Sequence, residues 1–130
     1  MRQGLKPGQT AEIQFIVTPD MFAQFEGKVV HQLLSTAALG HQMEWAARQI
    51  ILPYLEPHEE GMGARLTVHH HCPTPGGALV KVRASVSEVR TNKVECKVEA
   101  MTDGSNIADG SVLQAIVKRE WIQERIQQHG

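Results

Sequence analysis

Residues 35–53, STAALGHQMEWAARQIILP, decide how the rest of the chain is read. At about 100° per residue, Thr36, Gly40, Met43, Ala47 and Ile51 fall on one stripe, with Glu44 at its edge. Ser35 or Thr36 can cap the start, and Pro53 disrupts the end. The span therefore predicts one long helix over residues 35–52. The polar run EPHEEG, residues 56–61, follows as a loop.

Outward from this helix the periodicity changes from helical to alternating. Upstream, AEIQFIV (residues 11–17) sets Ile13, Phe15 and Val17 against Glu12, Gln14 and Ile16, the pattern of a strand. Residues 18–33 read as a connection with a lid-like part: a turn at Thr18-Pro19-Asp20, a short helical patch, then Gly27. Downstream, four strands are expected over residues 63–72, 78–89, 93–101 and 107–118. The breaks between them are the turn Pro73–Gly77, Thr91-Asn92 and Asp103-Gly104. Val80, Val82, Ala84 and Val86 face one way and Lys81, Arg83, Ser85 and Ser87 the other. Residues 119–130 form a helical tail on a single domain spanning 1–130. A strand, a long helix and four hairpin-linked strands make an α+β fold: a five-stranded antiparallel sheet wrapped around one central helix. A sheet covered on one face often continues its edge across a dimer, so a homodimer is expected.

Composition removes several classes of function. Thirteen Lys and Arg against fourteen Asp and Glu leave a net charge of −1, which gives no electrostatic case for nucleic acid or an anionic membrane. No apolar run approaches the ~20 residues of a membrane span, and the N-terminal MRQGLKPGQ lacks the apolar core of a signal peptide. Cys72 and Cys96 both sit in apolar strand patterns. Free buried thiols and a cytoplasmic location are the expectation.

The chemistry centres on Leu66–Cys72, LTVHHHC. Strand parity puts Leu66, Val68, His70 and Cys72 on one face, and Arg65, Thr67, His69 and His71 on the other. The first face is apolar and should meet the helix, so His70 is the imidazole aimed inward. On the helix, Thr36, Gly40 and Glu44 are spaced i, i+4, i+8 and stack along one side. A Glu–His–hydroxyl constellation of Glu44, His70 and Thr36 follows, with Thr36 near helix amides that can polarise a carbonyl. Each member also has a bland role: His70 as a hydrogen-bonded core residue, Glu44 as a rim carboxylate, Thr36 as a helix cap. His69 and His71 form an HxH pair able to chelate zinc, but no acidic or cysteine partner stands nearby in sequence, so no metal site is expected. Lys81 and Arg83 read as a solvated sheet face.

On these residues the chain resembles hot-dog-fold thioesterases of the fluoroacetyl-CoA thioesterase type. The likeness rests on GHQMEWA (40–46), PYLEP (53–57), Gly63 seven residues before His70, Pro75 and Gly77, and GLKPG (4–8). It is densest over residues 36–77 and continues in outline to about residue 118. The resemblance implies a hot-dog fold and an acyl-CoA thioesterase acting at a dimer interface. The family's threonine, glutamate and histidine fall on Thr36, Glu44 and His70, and the glycine whose amide helps hold the thioester carbonyl falls on Gly63. It also implies that coenzyme A enters as part of the substrate, with no separate cofactor. An arginine on the last strand of the fluoroacetyl-CoA enzyme is replaced by Gln114, the substrate-binding position here. The segment before the long helix is shorter, and the family's aromatic lid contacts are not recognisable around Gly27–Leu34. Small-acyl thioester chemistry is therefore expected, rather than fluoroacetyl specificity. The nucleophile (Thr36, Glu44 or water), the carrier (CoA or acyl carrier protein) and the pairing of dimers into tetramers are left open. So is a non-catalytic module that binds an acyl thioester or small hydrophobic ligand.

Overall fold

The computed structural model of the chain describes residues 1–129. Its elements are β1 (Thr10–Ile16), β2 (Phe22–Phe25), β3 (Lys28–Leu34), α1 (Thr36–Ile51), β4 (Glu59–His70), β5 (Leu79–Val89), β6 (Lys93–Thr102), β7 (Ser105–Lys118) and α2 (Arg119–His129). The tail expected over 119–130 is α2; its last residue, Gly130, lies outside the described residues.

Helix α1 starts at Ser35, whose extended backbone and hydroxyl form the cap: Oγ accepts from the Ala38 amide at 3.0 Å. Gly40, Met43, Ala47 and Ile51 of the expected stripe are buried, together with Leu39, Ala46 and Ile50. Thr36, at the stripe's N-terminal end, is exposed instead. A short 3-10 turn, Leu52–Tyr54, absorbs Pro53.

The expected sheet is present: five antiparallel strands in the order β1-β5-β6-β7-β4. Val80, Val82, Ala84 and Val86 of β5, with Val94, Cys96, Val98 and Ala100 of β6, build the core under α1. The alternate positions Lys81, Arg83, Lys97 and Glu99 are exposed.

Two expectations fail. Residues 18–33 hold no α-helical patch. After a 3-10 turn at Pro19–Met21 they form a hairpin of β2 and β3, a separate two-stranded sheet. Its two-residue turn, Glu26-Gly27, has φ of 52° and 78°, the left-handed pair that a tight hairpin needs. Most of β3 is exposed, so no burial-driven alternation marks it in the sequence. The second difference is β4, which starts at Glu59 rather than 63. Residues 59–63 are drawn into the sheet by pairing with 114–118 of β7, a long-range partner that local composition does not announce. The strand ends at His70. Cys72 is thus outside it and only half-buried, a correction to the expected buried thiol, whereas Cys96 is buried. Both thiols are free, and burial pushes that of Cys96 up to about 11.

One irregularity in β4 sets which of its residues face α1. Its pairing runs from Gly63↔Gln114 directly to Arg65↔Leu113, so Ala64 is the extra residue of a bulge. The bulge reverses parity. A Cβ on Gly61 would point at Ile51, and one on Gly63 at Glu44, so both glycines face α1. Leu66 and Val68 face it too, lying against Gly40. Unbroken alternation would have put Gly63 and His70 on opposite faces.

Candidate active site

Thr36 is the first residue of α1 and His70 the last of β4. Where the two ends meet, Thr36 Oγ1 and His70 Nδ1 share a hydrogen bond of 3.1 Å. The other ring nitrogen, His70 Nε2, is buried without a partner. Burial lowers the His70 pKa below the ordinary histidine value of 6.5; a backbone hydrogen bond at Cys72 opposes this, and the charge of His71 adds to it. The imidazole is therefore neutral near pH 7 and able to take a proton from a hydroxyl. Ser35 occupies the amides of Ala38, through its hydroxyl, and Leu39, through its carbonyl. That leaves the amides of Thr36 and Ala37 at the positive end of the helix, beside the same cavity. This cavity, of about 850 Å³, runs from the Thr36–His70 pair to the β2–β3 hairpin.

Glu44 stands two turns further along α1, ~12 Å from Thr36 along the axis. It is exposed and overhangs Gly63, whose Cβ direction ends 3.1 Å from Glu44 Oε2. Gln114, the β7 partner of Gly63, lies beneath with only 5% of its surface exposed, and its Nε2 has no partner. These three residues line a separate cavity of about 200 Å³ with His41, Trp45 and Arg48. Arg48 is held by Glu60 at 2.9 Å. Within one chain the proposed constellation thus falls into two groups: Thr36 with His70, and Glu44 with Gly63 and Gln114. Among the described residues Glu44 makes no hydrogen bond or ion pair to either member of the first group.

The remaining histidines divide as well. His69 is exposed on the outer face, opposite Asp109 of β7. His71, also exposed, lies past the strand end and lines the large cavity. No cluster of three or more His, Cys, Asp or Glu able to hold a metal is found among the described residues. Sequence reasoning missed the hairpin residues that wall the large cavity, Phe22 and Leu33 among them; the Glu-Gly turn was the available signal.

The model of the fluoroacetyl-CoA-specific thioesterase family matches residues 17–120. The chain belongs to that family. Fluoroacetyl-CoA thioesterase of Streptantibioticus cattleyicolor is 27% identical over 98% of this chain and 96% of its own. A solved structure of a hypothetical protein from Thermus thermophilus, described as a thioesterase superfamily member, is similar with a TM-score of 0.93 and 31% identity, covering 97% of this chain and 93% of that one. A hot-dog-like protein from Thermanaerovibrio acidaminovorans shares the fold, with a TM-score of 0.87 at 22% identity over 95% and 91% of the two chains. The expected hot-dog fold and thioester hydrolase class both hold for this family member. No helix among the described residues is long and apolar enough to cross a membrane.

Proposed function

We propose that the protein is an acyl-CoA thioesterase whose active site is shared between two copies of the chain. In this reading Thr36 and His70 of one copy face Glu44, Gly63 and Gln114 of the other. The observation that carries it is the 3.1 Å Thr36–His70 hydrogen bond beside free helix amides and a ligand-sized cavity. His70 takes the proton of the Thr36 hydroxyl or of water held there. The amides of the α1 N-terminus and of Gly63 receive the negative charge that develops on the thioester oxygen. Glu44 acts on the attacking water from the opposite side, and Gln114 offers its buried amide to the substrate. Coenzyme A leaves as the thiol, and no separate cofactor takes part.

Symmetry supports the shared site. Strand β4 is an edge of the sheet and has an unpaired side. Gly40 lies midway between Thr36 and Glu44, and Leu66 lies near the middle of the span from Gly63 to His70. The two midpoints touch: a Cβ on Gly40 would be 3.0 Å from Leu66 Cδ2. A two-fold axis close to this contact pairs two β4 edges antiparallel and exchanges the two groups of residues. It also covers Leu66 and Trp45, which are 38% and 48% exposed.

Complementation tests this assembly. Thr36→Ala and Glu44→Ala chains should each be nearly inactive alone. Random re-pairing of equal amounts makes half the dimers mixed, each with one intact site of two, so about a quarter of wild-type thiol release returns. Recovery absent from a mixture shown to exchange subunits would refute the shared site.

A further inference from the structure

We infer that the acyl group this enzyme accepts best is an apolar chain of medium length or an aryl-bearing one, seated under the β2–β3 hairpin, rather than a two-carbon group. The inference rests on the site proposed above and adds its substrate class.

The large cavity is lined by Thr36 and His70 and, from the hairpin, by Phe22, Ala23, Leu33 and Leu34. Leu34 is buried, and Phe22, Ala23 and Leu33 are half-buried. Of the polar residues of the lining, Asp20, Gln24, His31 and His71 are exposed, while Ser35 and His70, beside Thr36, are half-buried. An acyl group whose carbonyl sits at the Thr36 end therefore has an apolar surface to extend along. At about 850 Å³ the space is of the size that buries a drug-sized ligand.

The wall is held from several directions. The Leu34 amide donates to the Thr74 carbonyl at 2.8 Å, and that of Ser35 to the Met21 carbonyl at 2.8 Å. Leu33 bridges to Pro75, and Thr74 is fully buried. The Phe22 ring lies flush on Gly76, where a Cβ would come within 2.8 Å of Cζ. The base of the hairpin is thus anchored to the turn between β4 and β5. A preformed apolar wall rewards each methylene it covers, at roughly two- to fourfold in kcat/KM per group.

The test is thiol release from acetyl-, butanoyl-, hexanoyl-, octanoyl- and phenylacetyl-CoA by the full chain. kcat/KM is expected to rise from acetyl to hexanoyl by tenfold or more, with phenylacetyl near the top. Ala23→Leu narrows the cavity and should lower the hexanoyl-to-acetyl ratio at least fivefold, while circular dichroism reports folding. Acetyl-CoA as the best substrate overturns the inference but leaves the thioesterase reading standing. An unchanged ratio in folded Ala23→Leu also overturns it. Should that variant fail to fold, the wild-type series decides alone. Absence of thiol release from every thioester would refute the function itself.

Discussion

Two glycines on one strand face allow catalysis and packing to be separated. Gly61 and Gly63 both present their missing Cβ to α1, and neither has the left-handed backbone that would strain an alanine. The neighbours differ. An alanine Cβ at 61 would lie 2.3 Å from Cδ1 of Ile51, a fully buried core residue. Something in the core must shift, and overpacking of this kind costs ~1–3 kcal/mol. For a chain of this length that is a fall in Tm of roughly 3–15 °C. An alanine Cβ at 63 would lie 3.1 Å from Oε2 of Glu44, the far end of an exposed, flexible side chain. The carboxylate can give by a few tenths of an ångström, so stability should change by about 0.5 kcal/mol or less. Catalysis should respond in the opposite order. Gly63→Ala displaces Glu44 and crowds the amide proposed to hold the oxyanion, and a misplacement of that order costs about ten- to a hundredfold in kcat/KM. Thermal melts by circular dichroism and thiol release at 25 °C, normalised to folded protein, measure the two effects. A Gly63→Ala variant that melts as low as Gly61→Ala, or that keeps wild-type kcat/KM, would refute this separation of packing from catalysis.

Two further outcomes are expected. Burial within the chain lowers the His70 pKa and a facing Glu44 carboxylate in the proposed dimer opposes this, so Glu44→Gln should move the midpoint of the acid limb of kcat/KM to lower pH. The unfolded chain binds this proton more readily than the folded one. His70 therefore contributes stability fully above about pH 6.5, and loses it as pH falls through the lowered value. An acid limb that survives unchanged in His70→Ala would exclude His70 as the titrating base, while the exposed His69→Ala should keep the wild-type profile. Gln114→Leu removes a buried amide nitrogen that has no partner. The variant should be as stable as wild type or more so, by up to about 1 kcal/mol, while kcat/KM falls about tenfold. Unchanged turnover would take Gln114 out of the site.

Most of the fold was legible in the sequence because it rests on periodicities that burial imposes. The stripe Gly40, Met43, Ala47 and Ile51 announced α1, and the alternation through 78–101 announced β5 and β6, because one face of each meets the core. The hairpin was not legible, since β3 is exposed along most of its length and has no buried face to write a pattern. The four early residues of β4 were hidden for a different reason: their partners are more than fifty residues away on β7.

The candidate site divides in the same manner. Parity alone selected His70 from three adjacent histidines, and helix spacing alone put Thr36 and Glu44 on one side of α1. Only the tertiary structure brought Thr36 within 3.1 Å of His70, because that contact joins the start of a helix to the end of a strand. Only the bulge at Ala64 turned Gly63 toward the helix, and a bulge arises from the mismatch of two strands rather than from either one. The separation of Glu44 from His70 within a chain was likewise invisible to residue spacing, which measures distance along an element and not between cavities. Sequence determined which residues are candidates for the chemistry, because side-chain type and face are local properties. Tertiary structure decided how they are grouped, because grouping depends on the register between elements far apart in the chain.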